Sequence, residues 1–409
     1  MSPQARIYAS GSFCFGESVA VNNLLAAQYP AVILWSLHVN ASGDLIMNNT
    51  QIVSNGVYQE AQTMNLPSRL ATLYQNGISV IFSVGAGGTS DFTNIASLIS
   101  KYGTGSDNPL YTNMAALKAA MVNAGGNIDA IDFDNEDNLE AGVMVDFAIM
   151  LQAIGYASVT FCPYCLPEVW QDALTQLVKK FGPDFVSALH LQCYSGGEYN
   201  DPQEWGQVIA ASGSNALLIP GLATNQAGPG GWWNSGQPGS SVKSYPAVAQ
   251  YGGGDWSSLL RQGNYPSADA AMQSCVGGET FFFYCNSYLD LGPGKQFNAG
   301  DAVFFGGLPQ WGSAPQCEGY ALANGCSNIY NQGGACPSDL QTQYAKWANG
   351  KYPVNGGFIW MYDSIVDCVL SGPCGESGDS VATVATAYRN AIVNGLALAK
   401  TASSGSLVS

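Results

Sequence analysis

The residues best suited to chemistry lie in one short stretch, Ile128-Asp129-Ala130-Ile131-Asp132-Phe133-Asp134-Asn135-Glu136-Asp137. Asp132, Asp134 and Glu136 follow an apolar run at intervals of two residues. Side chains alternate along a strand, so the three acids share one face while Ile131 and Phe133 take the other. Carboxyls crowded together and poorly solvated cannot all ionise, and at least one must hold a proton or be firmly hydrogen-bonded. A raised pKa on the outermost, Glu136, would make a general acid able to protonate a leaving oxygen. Asp134 would then orient or stabilise whatever attacks, and Asp132 would tune Asp134. Paired carboxyls of this kind are what glycoside hydrolysis commonly requires. Two plainer readings compete. A calcium loop starting at Asp132 would put Asp137 where glycine is needed and Val143 where the bidentate glutamate belongs. A solvated acidic turn does not ordinarily follow an apolar strand with its acids in strict alternation.

Other reactive side chains are weighed singly. Tyr8, in the first apolar run, is either an aromatic near a ligand or a packed core residue. Gln192 and Tyr194 fall on one face of a later run, and by alternation His190 shares that face two residues deeper. His190 and His38 both read as satisfied core histidines. Cys162 and Cys165 form a CxxC with no second copy, which favours burial or a structural disulfide over a zinc or redox site. Trp232 and Trp233 are adjacent, so plain packing is the simpler reading. No GxSxG elbow is present, and Gly85–Gly88 is neither a phosphate loop nor a dinucleotide fingerprint. Asn40-Ala-Ser and Asn48-Asn-Thr are weak candidates for glycosylation. No metal site and no cofactor is expected.

The elements that must hold these residues alternate along the chain. Strands are expected at 6–10, 31–39, 78–84, 128–133, 157–161, 186–193, 216–221 and 357–362. Most are rich in Val, Ile and Leu with little alternation, as in a parallel sheet covered on both faces. Helices are expected at 67–75, 113–123, 141–154, 167–180, 202–211, 339–347 and 381–398. Pro167 and Pro202 suit a first helical turn, followed by Glu168 and Glu204 at the positive end of the dipole. Eight strand–helix units make an α/β fold of the (β/α)8 TIM-barrel type the leading expectation, with a doubly wound open sheet as the competitor. Residues 1–225 and 337–409 form the expected barrel. Residues 226–336, with Gly228–Gly231, Gly252–Gly254, an aromatic run at Phe281–Tyr284 and several cysteines, read as a loop-rich subdomain inserted between the seventh strand and the last helix–strand pair.

Composition narrows the partners. In 409 residues, 13 basic and 29 acidic side chains give a formal charge of 13 − 29 = −16. Charged residues make up only 10% and apolar ones 47%, which excludes wholesale disorder and offers no footprint for nucleic acid. No apolar run approaches the roughly 20 residues of a membrane span. Of the 11 cysteines, Cys275, Cys285, Cys317, Cys326, Cys336, Cys368 and Cys374 cluster late in the chain. Disulfides there would restrain a loop-rich segment and favour an extracellular setting, although no signal peptide is visible at the N-terminus.

The acid stretch, Asp129-x-x-Asp132-x-Asp134-x-Glu136, resembles the DxxDxDxE signature of the family 18 glycoside hydrolases, the chitinases and endo-β-N-acetylglucosaminidases. Ser83-Val84-Gly85-Ala86-Gly87-Gly88 is similar to the family's SxGG segment, Gln192-Cys193-Tyr194-Ser195 to its QxYN/MxYD segment, and Gly356–Trp360 to its last strand ending in tryptophan. The resemblance spans roughly residues 6–363 without the insertion. It implies a substrate-assisted retaining mechanism in which Glu136 donates the proton and the sugar's own acetamido oxygen attacks the anomeric carbon. Asp134 would hydrogen-bond the acetamido N–H and stabilise the oxazolinium-like intermediate, Asp132 adjust its charge, Tyr194 hold the acetamido group through its hydroxyl and Trp360 floor the sugar. Tyr8, Ser83, Gly85 and Gln192 are further candidates for substrate contact. Ala130, Asn135 and Ser195 depart from the family's usual residues. The expectation is a secreted glycosidase acting on β-1,4 bonds next to N-acetylglucosamine in chitin or chito-oligosaccharides. The rivals are an endo-β-N-acetylglucosaminidase acting on N-glycans and a non-catalytic chitinase-like lectin.

Overall fold

The computed structural model describes residues 3–11, 13, 18–63, 65–194, 197, 200–224, 337–371 and 379–404, together with the backbone of short strands between residues 248 and 330. The chain divides into two units, one of Met1–Gly221, Ala345–Asp363 and Ile392–Ser409, the other of Leu222–Tyr344 and Ser364–Ala391.

The first unit is a mixed α/β structure around a central parallel sheet. After β1 (Gln4–Ala9) and β2 (Ala31–Val39), the chain makes an antiparallel excursion through β3 (Leu45–Met47), β4 (Thr50–Ser54) and β5 (Val57–Tyr58). It returns to the parallel sheet with β6 (Ser79–Val84), β7 (Ala130–Phe133), β8 (Val159–Phe161), β9 (Val186–Leu189), β10 (Leu217–Leu218) and β11 (Gly221–Ala223). The spatial order runs β10-β9-β8-β7-β6-β2-β1, then the final strand Gly356–Trp360, then β11. Its two ends, β10 and β11, are successive in the chain. On one side Ile219 donates to the carbonyl of Leu189 and Leu191 to that of Ile219. On the other, Asn355 donates to Leu218 and Phe358 to Pro220. Gly221 permits this approach, because a Cβ there would lie 2.0 Å from the Phe358 ring.

Helices cross between the strands, at Val19–Ala27, Leu66–Gln75, Asp91–Tyr102, Pro109–Asn123, Ala141–Ile154, Pro167–Phe181 and Pro202–Ser212. Their starts follow from local chemistry. Asn108 and Asp201 cap two of them by accepting from the backbone N–H of Leu110 and Gln203, each followed by a proline whose missing N–H costs nothing there. Helix Pro167–Phe181 has Glu168 in its first turn and Lys179 and Lys180 in its last, matching the dipole. The helices at 19–27 and 91–102 and the excursion at 45–58 were not anticipated from the sequence pattern. Between sheet and helices lies an aromatic layer: Phe133 stacks on Phe147 at 5.1 Å, meets Phe92 at 5.7 Å and Phe161 at 5.6 Å. At about 1.5–3 kcal/mol for each fully buried ring, this layer anchors the outward face of β7. The acids on the opposite face are thereby locked in place.

The second unit carries a six-stranded sheet in the order Leu260–Arg261, Val248–Gln250, Ala302–Gly306, Thr280–Cys285, Cys317–Ala323, Asn328–Tyr330. The aromatic run expected in a loop therefore lies in a strand, as the β-propensity of Phe and Tyr favours. Trp232, Trp233, Gly228–Gly231, Gly252–Gly254, Cys275, Cys326, Cys336 and Cys374 lie outside the described residues. Among the described residues no helix is long and apolar enough to cross a membrane.

Candidate active site

Strand register assembles the site. In the parallel ladder β6-β7-β8, Ser83 pairs with Asp132 and Asp132 with Thr160, a single row across three strands. Asp132 is fully buried. Its Oδ1 accepts from Thr160 Oγ1 at 2.6 Å and from His190 Nδ1 at 2.8 Å. Its Oδ2 accepts from the hydroxyls of Tyr8 and Ser83, each at 2.8 Å. Burial alone would raise the pKa of this carboxyl, but His190, Thr160 and Ser83 hold it below the usual range. Three residues earlier, Asp129 Oδ2 accepts from Ser79 Oγ at 2.7 Å and the Val80 N–H at 3.0 Å, tying the start of β7 to β6.

Asp134 sits just beyond the end of β7 and is 3% exposed. Trp35 Nε1 donates to its Oδ2 and Gln192 Nε2 to its Oδ1, both at 2.9 Å. Burial, then the charges of Glu136 and Asp132, push its pKa well above the ordinary carboxylate value. Asp134 is thus a raised carboxyl of the ladder, because its position combines burial with an acid on either side. Glu136 is half-buried, and the same Gln192 Nε2 reaches its Oε1 at 3.3 Å. The three acids therefore climb from core to surface on one face, with one amide bridging the upper two.

The glycines of the 83–88 segment make room for them. Gly85, at φ +104°, would place a Cβ 2.1 Å from the Asp134 carbonyl oxygen, and a Cβ at Gly87 would lie 2.9 Å from Glu136 Oε2. Around the mouth, Trp360 stacks on Tyr194 at 5.7 Å and 27°, and Trp35 meets Trp360 edge-on at 4.7 Å. Trp35 and Trp360 are half-buried, whereas Tyr194 is only 4% exposed.

Several assignments change on this geometry. Tyr8 and Ser83, expected beside substrate, are fully buried and donate to Asp132 from beneath. Gly85 acts by the space it leaves. His190 is the satisfied core histidine expected, fully buried with both ring nitrogens bonded; its Nδ1 partner is Asp132, and Arg6 Nη1 lies 2.7 Å from its Nε2. The sequence signals for these two were alternation with Gln192 and a lone cation in an apolar strand. Trp35 carried no signal beyond its place in β2. His38 is satisfied, by Ser36 Oγ at 2.7 Å and Asp91 Oδ2 at 2.8 Å. Cys162, Cys165 and Cys193 are free thiols, so the CxxC forms no disulfide. Cys162 Sγ lies 3.2 Å from the Tyr8 hydroxyl, and burial pushes its pKa well up, leaving it protonated. Asn48 Nδ2 is buried, which closes that candidate glycosylation site in the folded chain. Ser195 lies outside the described residues. Among the described residues no group of three or more His, Cys, Asp or Glu side chains is arranged to hold a metal ion.

The fold and site together define a mixed α/β protein with a buried, graded carboxylate ladder opening beneath aromatic side chains. No family model matches the chain, and no curated protein matches it. Among solved structures it is similar to a group IV chitinase of Ostrinia furnacalis, at 11% identity over 97% of this chain and 100% of that one, with a TM-score of 0.46. It is also similar to a chitinase from Bacteroides thetaiotaomicron, at 10% identity over 96% and 97%, TM-score 0.44. A third is a family 18 chitinase from the chitin utilization locus of Flavobacterium johnsoniae, at 10% identity over 95% and 94%, TM-score 0.43.

Proposed function

We propose that this protein is a retaining glycoside hydrolase of the family 18 type, cleaving β-1,4 linkages next to N-acetylglucosamine in chitin or chito-oligosaccharides. The observation that carries the reading is the ladder itself. Asp132 is saturated by four donors, Asp134 has a raised pKa, and Gln192 joins Asp134 to the more exposed Glu136. A carboxyl that must give a proton to a leaving oxygen needs a store for that proton, and the Asp134–Glu136 pair provides one. Glu136 protonates the glycosidic oxygen as the C–O bond breaks. The acetamido oxygen of the sugar bonds to the anomeric carbon from the other face, and Asp134 stabilises the positive charge that develops on the acetamido nitrogen. Water then opens this ring, losing its proton to Glu136, so the anomeric configuration is retained. Trp360, with Tyr194 stacked against it, offers an aromatic floor to the sugar, and the role proposed for the Tyr194 hydroxyl is to hold the acetamido group.

In the same reading the parallel sheet closes as a (β/α)8 barrel, supported by the hydrogen bonds that 217–221 makes on both sides. Residues 1–225 and 337–409 form the catalytic domain and 226–336 an insertion. The partner is a neutral oligosaccharide or polysaccharide, which suits a sparsely charged acidic surface that gains nothing from electrostatic steering. Export, with disulfides among the late cysteines, completes the proposal.

The test is digestion of N-acetylglucosamine tetramer or pentamer at mildly acidic pH, with the first-formed anomer read by NMR, beside Glu136→Gln. Early β-anomer from the native protein and none from the variant is the expected outcome. Binding without turnover in both would move the protein to the lectins. Neither binding nor turnover would refute the chitin reading and direct attention to N-glycans.

A further inference from the structure

Asp132 has more support than neighbouring hydroxyls alone would give. Each carboxylate oxygen has two lone-pair directions, and all four are filled, by Tyr8, Ser83, Thr160 and His190. The first three are hydroxyls with one proton each. The fourth is an imidazole whose protonation is decided elsewhere. Arg6 Nη1 lies 2.7 Å from His190 Nε2, and a guanidinium can only donate, so Nε2 accepts and the proton sits on Nδ1, aimed at Asp132. Arg6 is itself steadied by Nη2 donating to Gln4 Oε1 at 3.0 Å. His190 and Asp132 are fully buried and Arg6 is 7% exposed. A buried cation and a buried anion therefore face each other through one neutral ring.

We propose that Arg6 and His190 are positioning residues that keep Asp132 a permanent carboxylate, so that the one proton of the acid ladder stays at the level of Asp134 and Glu136. This rests on the glycosidase reading for its consequence in catalysis, though not for the state of Asp132. The groups facing Asp132 can be named from every strand packed on it. Arg6 and Tyr8 come from β1, Ser83 from β6, Thr160 and then Cys162 from β8 and just beyond it, His190 from just after β9, and Asp134 and Glu136 from the segment that follows β7. Burial raises the pKa of Tyr8 and of Cys162, which keeps both neutral. Burial and Arg6 lower that of His190, outweighing the pull of Asp132, while Arg6, brought down to about 10, stays charged. Arg6 is thus the one cation of the set. With Asp132 unable to accept a proton, its charge repels a second anion above it, and the ladder retains the proton that Glu136 must deliver.

The experiment compares the native protein with His190→Leu, His190→Asn and Arg6→Met. In NMR of protein labelled with 13C at the aspartate carboxyls, the resonance lost in Asp132→Asn should stay at its ionised position down to the acid limit of the folded state. In His190→Leu it should titrate within that range, and His190→Asn, which keeps an N–H for Asp132, should lie between. The alkaline limb of kcat/KM on chito-oligosaccharide should move down by about one pH unit in His190→Leu, a tenfold loss on that limb, with KM little changed. Arg6→Met frees His190 to take a proton, adding an ionisation near the ordinary histidine range. If His190→Leu does not fold, His190→Asn carries the Asp132 comparison, and Arg6→Met carries the histidine titration. An Asp132 resonance that titrates normally in the native protein, or identically in all variants, overturns the proposal. The expected NMR pattern without any chitinase activity would refute the glycosidase reading and leave the Asp132 assignment standing.

Discussion

The raised pKa of Asp134 costs the fold stability as pH rises, and removing its titrating carboxyl should show this as a pH slope. In the native protein its pKa lies well above the ordinary value because it is buried and has Glu136 and Asp132 as neighbours. In the unfolded chain it titrates near about 4. The sign follows from proton binding. Above that pH the native state keeps a proton which the unfolded chain releases, so the stability contributed by Asp134 is complete below about pH 4 and is lost as pH rises through the native pKa. Over that window the native protein loses about 1.4 kcal/mol per pH unit relative to a variant lacking the group. Asp134→Asn is nearly isosteric, keeps an acceptor for Trp35, and lets Gln192 turn its amide to accept from the new Nδ2. The variant should therefore gain on the native protein as pH rises from about 4 toward the raised native pKa, by at most about 1.4 kcal/mol per pH unit, or about 2–4 °C in melting temperature per kcal/mol. Urea unfolding of both proteins at pH 4.5, 5.5 and 6.5 measures it. Stability curves that run parallel across this range would refute the assignment of the raised carboxyl to Asp134.

Two further outcomes follow from single contacts. Trp35→Phe keeps the ring against Trp360 but removes the N–H that reaches Asp134 Oδ2. A hydrogen bond to a charged or charge-developing group contributes about 1.5–3 kcal/mol, so kcat on chito-oligosaccharides should fall by roughly 10- to 100-fold with a smaller change in KM; an unchanged kcat would mean the indole only fills space. Gly85→Ala forces a side chain to φ +104° and into the Asp134 carbonyl, and should lower stability by roughly 2–4 kcal/mol. A melting temperature equal to that of the native protein would show that the loop can move aside.

Much of this was legible from local pattern. Period-two spacing put Asp132, Asp134 and Glu136 on one face because strand geometry leaves no other choice once Ile131 and Phe133 are drawn to the helices. Runs such as Ala31–Val39 and Ala141–Ile154 have the bounds expected of them, since continuous apolar residues and helix-starting or helix-ending chemistry act within a few residues. The antiparallel excursion at 45–58 leaves no such mark in the sequence because its strands are too short for sustained alternation.

What sequence alone determined is the identity of the acids, their common face and the parallel α/β character of the chain that carries them. Only the tertiary structure decided which way the two aspartate pKa values move, down at Asp132 and up at Asp134. That depends on Ser83 and Thr160 falling level with Asp132 in the register of three strands, and on Arg6 and His190, 184 positions apart, meeting beneath it. It also depends on Trp35 reaching Asp134 from 99 positions away. Spacing along a strand fixes direction, but a pKa responds to burial and charge from every side, and those neighbours are gathered by the sheet rather than by the chain.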